Sequence, residues 1–182
     1  SAKIDASGNI LTSEIIDPLV CDCCQTDIAQ SSAGAVVVYR NRTENEHRDI
    51  YYSRWVNGEW QTGKPVATEN WFISGCPVNG PAVAASASDV AVAWFTSANG
   101  LNKINYARID NQTDQVAAPV EIDAGEHVSG QVGLVLTEDG GAVVSWLRVS
   151  PEGGAELVLR YIDSANSAQT PNQITAIANL RA

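Results

Sequence analysis

Short apolar runs that close on a large aromatic recur along this chain. Residues 34–39 read GAVVVY, 89–94 DVAVAW and 141–146 GAVVSW. Each is rich in β-branched or small apolar residues and bounded by turn formers, the pattern of a buried strand. The closing aromatics Tyr39, Trp94 and Trp146 lie 55 and 52 residues apart. A second series follows them at 50–54 (IYYSR), 104–108 (INYAR) and 157–161 (LVLRY). A third precedes them at 27–29, 82–84 and 134–136, again 55 and 52 apart. Three strands in fixed order at a period near fifty residues predict an all-β chain, a β-propeller of four-stranded antiparallel blades or a similar radial array. No segment sustains the three-four spacing of an amphipathic helix.

Laid on that period, the chain is expected to form one propeller segment. Residues 1–19 are the end of a preceding blade, and 20–70, 71–124 and 125–182 are three complete blades. The strands are expected at 26–30, 35–41, 49–55 and 60–67 in the first, at 81–86, 89–96, 103–110 and 117–122 in the second, and at 131–136, 141–149, 156–163 and 172–177 in the third. Lys3-Ile4-Asp5 echoes Arg108-Ile109-Asp110, and 8–16 reads as an outer strand, so the chain is expected to begin halfway through a blade. Asn57-Gly58 and Asp139-Gly140-Gly141 are expected hairpin turns, because their residues tolerate positive φ. Propellers close with roughly four to eight blades. The remaining blades are therefore expected from a longer polypeptide, which the half-blade favours, or else from a second chain or self-association.

Composition narrows the partners. Hydrophobic residues make up 45% of the chain and charged ones 18%, a globular balance. The net charge of −10 leaves no basic surface for a nucleic-acid backbone and no polybasic anchor for anionic lipid. No apolar run approaches the length of a membrane span. There is no methionine and no leader pattern, which is expected of a mature chain or a fragment. Two matches to the glycosylation sequon, at 41–43 and 111–113, carry little weight in so short a pattern.

In a propeller, the loop leading into each first strand and the loop between the second and third strands open on the same face. The 55-residue offset sets Cys21 opposite Cys76, and Cys23 and Cys24 share the loop of Cys21. All four sulfurs are expected near the axis on one face. Two readings stand side by side. One is a thiolate-bound metal ion (copper, zinc or iron) held by Cys21, Cys23, Cys24 and Cys76. The other is one or two disulfides, one of them pairing Cys76 with Cys21, Cys23 or Cys24 to staple two blades, or inert thiols.

The same face receives the 40–49 loop, RNRTENEHRD. Its Arg40, Arg42 and Arg48 are candidate ligands for a carboxylate or phosphate, and Glu46, His47 and Asp49 are candidates for acid–base work. The alternative is a solvated loop whose charges pair among themselves. His127 precedes the third inner strand. Trp60, Trp71 and Phe72 either stack on a sugar or fill the contacts between blades. Asn79, aligned with Cys24, reads as a turn residue or a polar contact on the axis.

VCDCCQTD (20–27), YRNRTENEHRDIYYSRW (39–55) and GCPVNGPAVAA (75–85), followed by VAVAWF (90–95), resemble a bacterial group of secreted sialidase-like propellers with neuraminidase-type (BNR) repeats, the group bearing a Cys-x-Cys-Cys motif. The resemblance covers residues 20–110. It implies a longer protein with further blades, exported to the periplasm or the cell surface. It does not carry sialidase catalytic residues across. The aspartate box Ser-x-Asp-x-Gly-x-Thr-Trp is approached only at 53–60, without the aspartate and threonine; the arginines crowd one loop; no tyrosine–glutamate nucleophile pair matches. The expected function is an extracytoplasmic propeller that binds or hydrolyses an anionic glycan at the 40–49 face, a glycoside hydrolase without an intact sialidase motif. A cysteine-ligated metal or redox propeller and a non-catalytic protein-interaction propeller are the alternatives.

Overall fold

A computed structural model describes residues 1–150 and 153–165, together with the backbone of a strand at Asn179–Leu180. The outer strand expected at 172–177 lies outside the described residues. Strands β1 (Ala2–Ile4) and β2 (Ile10–Ser13) form an antiparallel hairpin. The first full sheet joins β3 (Asp27–Ser31), β4 (Gly34–Arg40), β5 (Ile50–Val56) and β6 (Glu59–Trp60), with β7 (Lys64–Pro65) also on β5. The second runs β8 (Ala82–Ala85), β9 (Asp89–Thr96), β10 (Lys103–Asp110), β11 (Val120–Ala124). The third runs β12 (Val128–Leu136), β13 (Ala142–Val149), β14 (Ala155–Ile162), β15 (Asn179–Leu180). All pairings are antiparallel and follow chain order. Among the described residues there is no α-helix, and no helix long and apolar enough to cross a membrane.

The strands fall close to their expected places, and the departures have local causes. The outer strand expected at 60–67 is broken into β6 and β7, with Gly63 between them so close to the Tyr39 hydroxyl that a Cβ would strike it, and it ends at Pro65, which has no N–H to carry the ladder on. The strand expected at 131–136 starts three residues earlier, at Val128, through an irregular stretch where Gly130 and Gln131 take positive φ. Asn57 and Gly58 both have positive φ and connect β5 to β6 as a tight turn.

Alternation along β9 explains how the sheets pack. Val90, Val92 and Trp94 point one way and are buried with Val36, Val38, Ile50 and Tyr52 of the first sheet. Ala91, Ala93 and Phe95 point the other way, against Val128, Val144 and Trp146 of the third. Every side chain from Val90 to Phe95 is thus buried, and the run reads as continuously apolar because both faces are covered. The first strands of the sheets lie side by side, β8 between β3 and β12.

Polar contacts repeat with the same period. Gln25 and Gly80, 55 positions apart, exchange two hydrogen bonds, and Ser32 Oγ donates to the Ala87 carbonyl across the same interval. Gly80 is required there: a Cβ would strike the carbonyl of Gln25. A second recurrence is a carboxylate clasp on the closing aromatics. The Tyr39 hydroxyl donates to Asp17 (2.9 Å), the Trp94 indole N–H to Glu69 (3.1 Å) and the Trp146 indole N–H to Asp123 (2.7 Å). In each, an acid placed ahead of a sheet anchors the buried aromatic on that sheet's second strand.

The Asp123 clasp makes stability pH-dependent on the acid side. Burial alone would raise the Asp123 carboxyl, but hydrogen bonds from Arg148 and Trp146 outweigh it and hold the group below its ordinary 3.8. Asp114 is lowered likewise, the hydrogen bonds of Lys64 and Arg54 prevailing over burial. A carboxyl depressed in the folded state stabilises it above the unfolded pKa and loses that contribution as pH falls further. Stability against urea is therefore expected to decline as pH drops below about 4, with a shallower decline in Asp123→Asn. An unchanged acid limb in that variant would remove Asp123 from the account.

Candidate functional site

The loop leading into β3 is tied to the end of β4: the Cys21 N–H donates to the Arg40 carbonyl (2.9 Å), and Val20 bridges Asn41. Cys23 is joined to Cys76 by a disulfide, with Cα atoms 6.3 Å apart, linking the approaches to the first and second sheets. Cys21 and Cys24 are free thiols, 3% and 9% exposed. Their sulfurs are 2.9 Å apart, and that of Cys21 is 3.5 Å from the disulfide sulfur of Cys23. The sulfurs of Cys21, Cys23 and Cys24 all lie within 4.8 Å of one another. Arg48 Nη1 donates to Cys21 Sγ at 3.2 Å. Burial, reinforced by the hydrogen bond with Cys21, pushes the Cys24 thiol up to about 11.

The three arginines of the 40–49 loop have different fates. Arg40 is 1% exposed. Its Nε donates to the Asn79 carbonyl (2.8 Å), Nη1 to that of Arg48 (2.6 Å) and Nη2 to that of Phe95 (2.6 Å), while the guanidinium lies 4.8 Å above the Trp71 ring centre. It is a tie between the first and second sheets, turned away from any ligand on the surface. Burial draws its pKa down, with Cys24, Cys21 and Glu69 acting in the other direction. Arg48 is buried as well, between Cys21 and Glu46, to whose Oε2 its Nη2 donates at 2.6 Å. Arg42 alone reaches the surface, its side chain 36% exposed, and pairs with the other oxygen of Glu46.

The acid–base candidates are similarly sorted. Asp49 is buried and accepts the N–H groups of Asn70 and Trp71, both at 3.0 Å, so it fastens the 40–49 loop to the segment before β8. Glu46, in a positive-φ turn, is held below its ordinary carboxylate range by the hydrogen bonds of Arg42 and then Arg48, which makes it a charge partner and not a proton donor near neutrality. His47 bridges Phe72 through the backbone, and their rings meet edge to face at 6.1 Å. Phe72 is 64% exposed, whereas Trp71 is buried in the core between the second and third sheets. Trp60 packs on Trp55 and donates to Ser1, on the β5–β6 hairpin. His127 pairs with Asp123 at 3.4 Å.

Asn79 proves more than a turn residue. Buried, it accepts from the Gln131 N–H (2.8 Å), donates toward the Ser129 carbonyl (3.3 Å) and offers its own carbonyl to Arg40, so it connects all three sheets. Val78 beside it holds φ of 51°, an unusual conformation for a β-branched residue, with its carbonyl accepting from Gln131. Sequence reasoning passed over Gln131 and the clasp acids Asp17, Glu69 and Asp123. The acids carried a signal in retrospect: they recur at intervals of 52 and 54 residues.

No known protein family matches the chain, and no curated protein does. Solved structures do. The Hadza microbial sialidase Hz136 aligns at 16% identity with a TM-score of 0.54, over 79% of this chain and 36% of the sialidase. The α-L-arabinofuranosidase PaAbf62A from Podospora anserina, solved with cellotriose, aligns at 12% identity and TM-score 0.47, over 80% of this chain and 46% of the other. The catalytic domain of the Coprinopsis cinerea GH62 α-L-arabinofuranosidase gives 12% and 0.48 over the same shares. The chain thus spans less than half the length of each of these proteins. With three antiparallel sheets packed in series, it has a sialidase-like all-β fold.

Proposed function

We propose that this chain is part of an extracytoplasmic, sialidase-like β-propeller, of the cysteine-bearing group, that binds an anionic glycan on the face of the 40–49 loop. The observation that carries the reading is the rim formed by Arg42, Glu46, His47 and Phe72: an accessible guanidinium, a carboxylate holding it in place and an exposed aromatic ring. A sugar carboxylate can take the place of Glu46 on Arg42 while the ring face stacks on Phe72. Resemblance of the fold to that of a sialidase supports a carbohydrate ligand, and the Cys23–Cys76 disulfide supports an oxidising compartment. Binding is favoured over hydrolysis, because Asp49 is committed to backbone N–H groups and Glu46 to two arginines.

Titration calorimetry of the full-length protein with sialylated and uronic-acid oligosaccharides tests this. Arg42→Ala and Phe72→Ala are each expected to weaken binding by about tenfold, roughly 1.4 kcal/mol, while lowering stability by less than about 1 kcal/mol. Absence of heat with every carboxylated sugar would end the proposal.

A further inference from the structure

We propose that the four cysteines form an intramolecular thiol–disulfide relay, in which the buried Cys21–Cys24 pair passes two electrons to the Cys23–Cys76 disulfide and thence to an external disulfide. Four observations converge on it. The two thiols sit at Cys-x-x-Cys spacing with their sulfurs 2.9 Å apart, close enough to join with a small rotation. Cys21 Sγ lies 3.5 Å from the sulfur of Cys23, within contact distance of the bond it would attack. A guanidinium N–H, Arg48 Nη1, points at Cys21 Sγ from 3.2 Å, where it can hold that sulfur in place against Cys23 during the exchange. Exposure is graded: Cys21 and Cys24 are buried, Cys23 is half-buried and Cys76 is open to solvent.

The exchange balances without an outside reagent. The Cys21 thiol gives its proton to solvent and its sulfur attacks Cys23 Sγ; the Cys23–Cys76 bond breaks, and Cys76 leaves as a thiolate that takes a proton back from solvent. Cys24 then attacks Cys21 Sγ in the new Cys21–Cys23 bond. Cys23 leaves and takes up the proton that Cys24 gives up. Two thiols have been oxidised to the Cys21–Cys24 disulfide, and one disulfide has been reduced to the thiols of Cys23 and Cys76. The exposed dithiol next reduces an external disulfide of the glutathione or protein class to two thiols and re-forms the Cys23–Cys76 bond. One turn removes two electrons from the chain, and an external dithiol restores them. Cys76 is the port because it alone of the four is exposed, on the loop that carries the positive-φ Val78.

The relay is separable from glycan binding, since Arg42 and Phe72 take no part in it. The test is disulfide mapping by alkylation and peptide mass spectrometry on the native full-length protein, equilibrated over a series of reduced-to-oxidised glutathione ratios. A Cys21–Cys24 disulfide with alkylated Cys23 and Cys76 is expected at intermediate ratios. Cys24→Ser is expected to accumulate the Cys21–Cys23 disulfide with Cys76 alkylated, and Cys21→Ser to hold Cys23–Cys76 alone. Should a variant fail to fold, acid-quenched time points on the wild-type chain, after addition of oxidised glutathione, report the same intermediates. Cys23–Cys76 as the sole pairing at every ratio, with Cys21 and Cys24 alkylated only after unfolding, would overturn the relay. So would isolation of the chain with one tightly held copper, zinc or iron ion and four thiols after its removal.

Discussion

Arg40→Ala is expected to lower the unfolding free energy by about 3–5 kcal/mol, the range for removing one partner of a buried charged contact. The side chain is 1% exposed and divides its donors among the carbonyls of Asn79, Arg48 and Phe95, two of which belong to the second sheet and the loop before it. Truncation leaves three buried acceptors short of a donor and opens a void beside Trp71. In a domain of this size the melting temperature should fall by roughly 10 °C or more. Arg40→Lys should recover only part of the loss, because a compact ammonium cannot span three divergent acceptors as a planar fork does. Arg42→Ala is the internal control, with an expected cost below about 1 kcal/mol for an exposed pair. A stability for Arg40→Ala within error of that control would show that the carbonyls re-pair or reach water.

Trp94→Ala should cost about as much, roughly 3–5 kcal/mol. Trp94 is fully buried among Val36, Val38, Tyr52 and Ile109, between the first and second sheets, so its loss leaves a cavity at their shared core. It also removes one of the two donors on Glu69 Oε1, the other being Asn105 Nδ2. Trp94→Phe separates the two effects: it keeps most of the volume and loses the indole N–H, with an expected cost of about 1–2 kcal/mol. Urea unfolding of both variants gives the comparison. Equal losses would mean that the clasp, and not the packing, dominates; a neutral Phe variant would mean that Glu69 contributes nothing through the indole.

Much of the fold was legible because its governing interaction is periodic. Val90, Val92 and Trp94 alternate with Ala91, Ala93 and Phe95 whichever residues lie opposite, so the strand and its two-sided burial can be read from β9 alone. The proximity of Cys76 to the Cys-x-Cys-Cys loop followed from the same 55-residue offset, and the disulfide to Cys23 agrees with it. The candidate site was less legible. Arg40, Arg42 and Arg48 look alike in a charged loop, yet one bonds to carbonyls up to 55 positions away, one reaches solvent, and one touches a thiol. Asp49 resembled a catalytic acid because nothing local reveals that the N–H groups of Asn70 and Trp71 turn back onto it.

What the sequence determined by itself is what repeats along it or follows from local backbone preference: strand order, the alternating faces, the gathering of four sulfurs at one approach to neighbouring sheets, and the Asn57-Gly58 turn. These depend on side-chain period and backbone preference, which act over a few residues and need no partner to be recognised. The tertiary structure alone decided which cysteine pairs with Cys76, which arginine is interior, and which acids hold the tryptophans. Those outcomes turn on differences of an ångström or two between competing partners brought together from distant positions. Hydrogen-bond and charge energies change steeply over that range, and no local pattern in the chain encodes it.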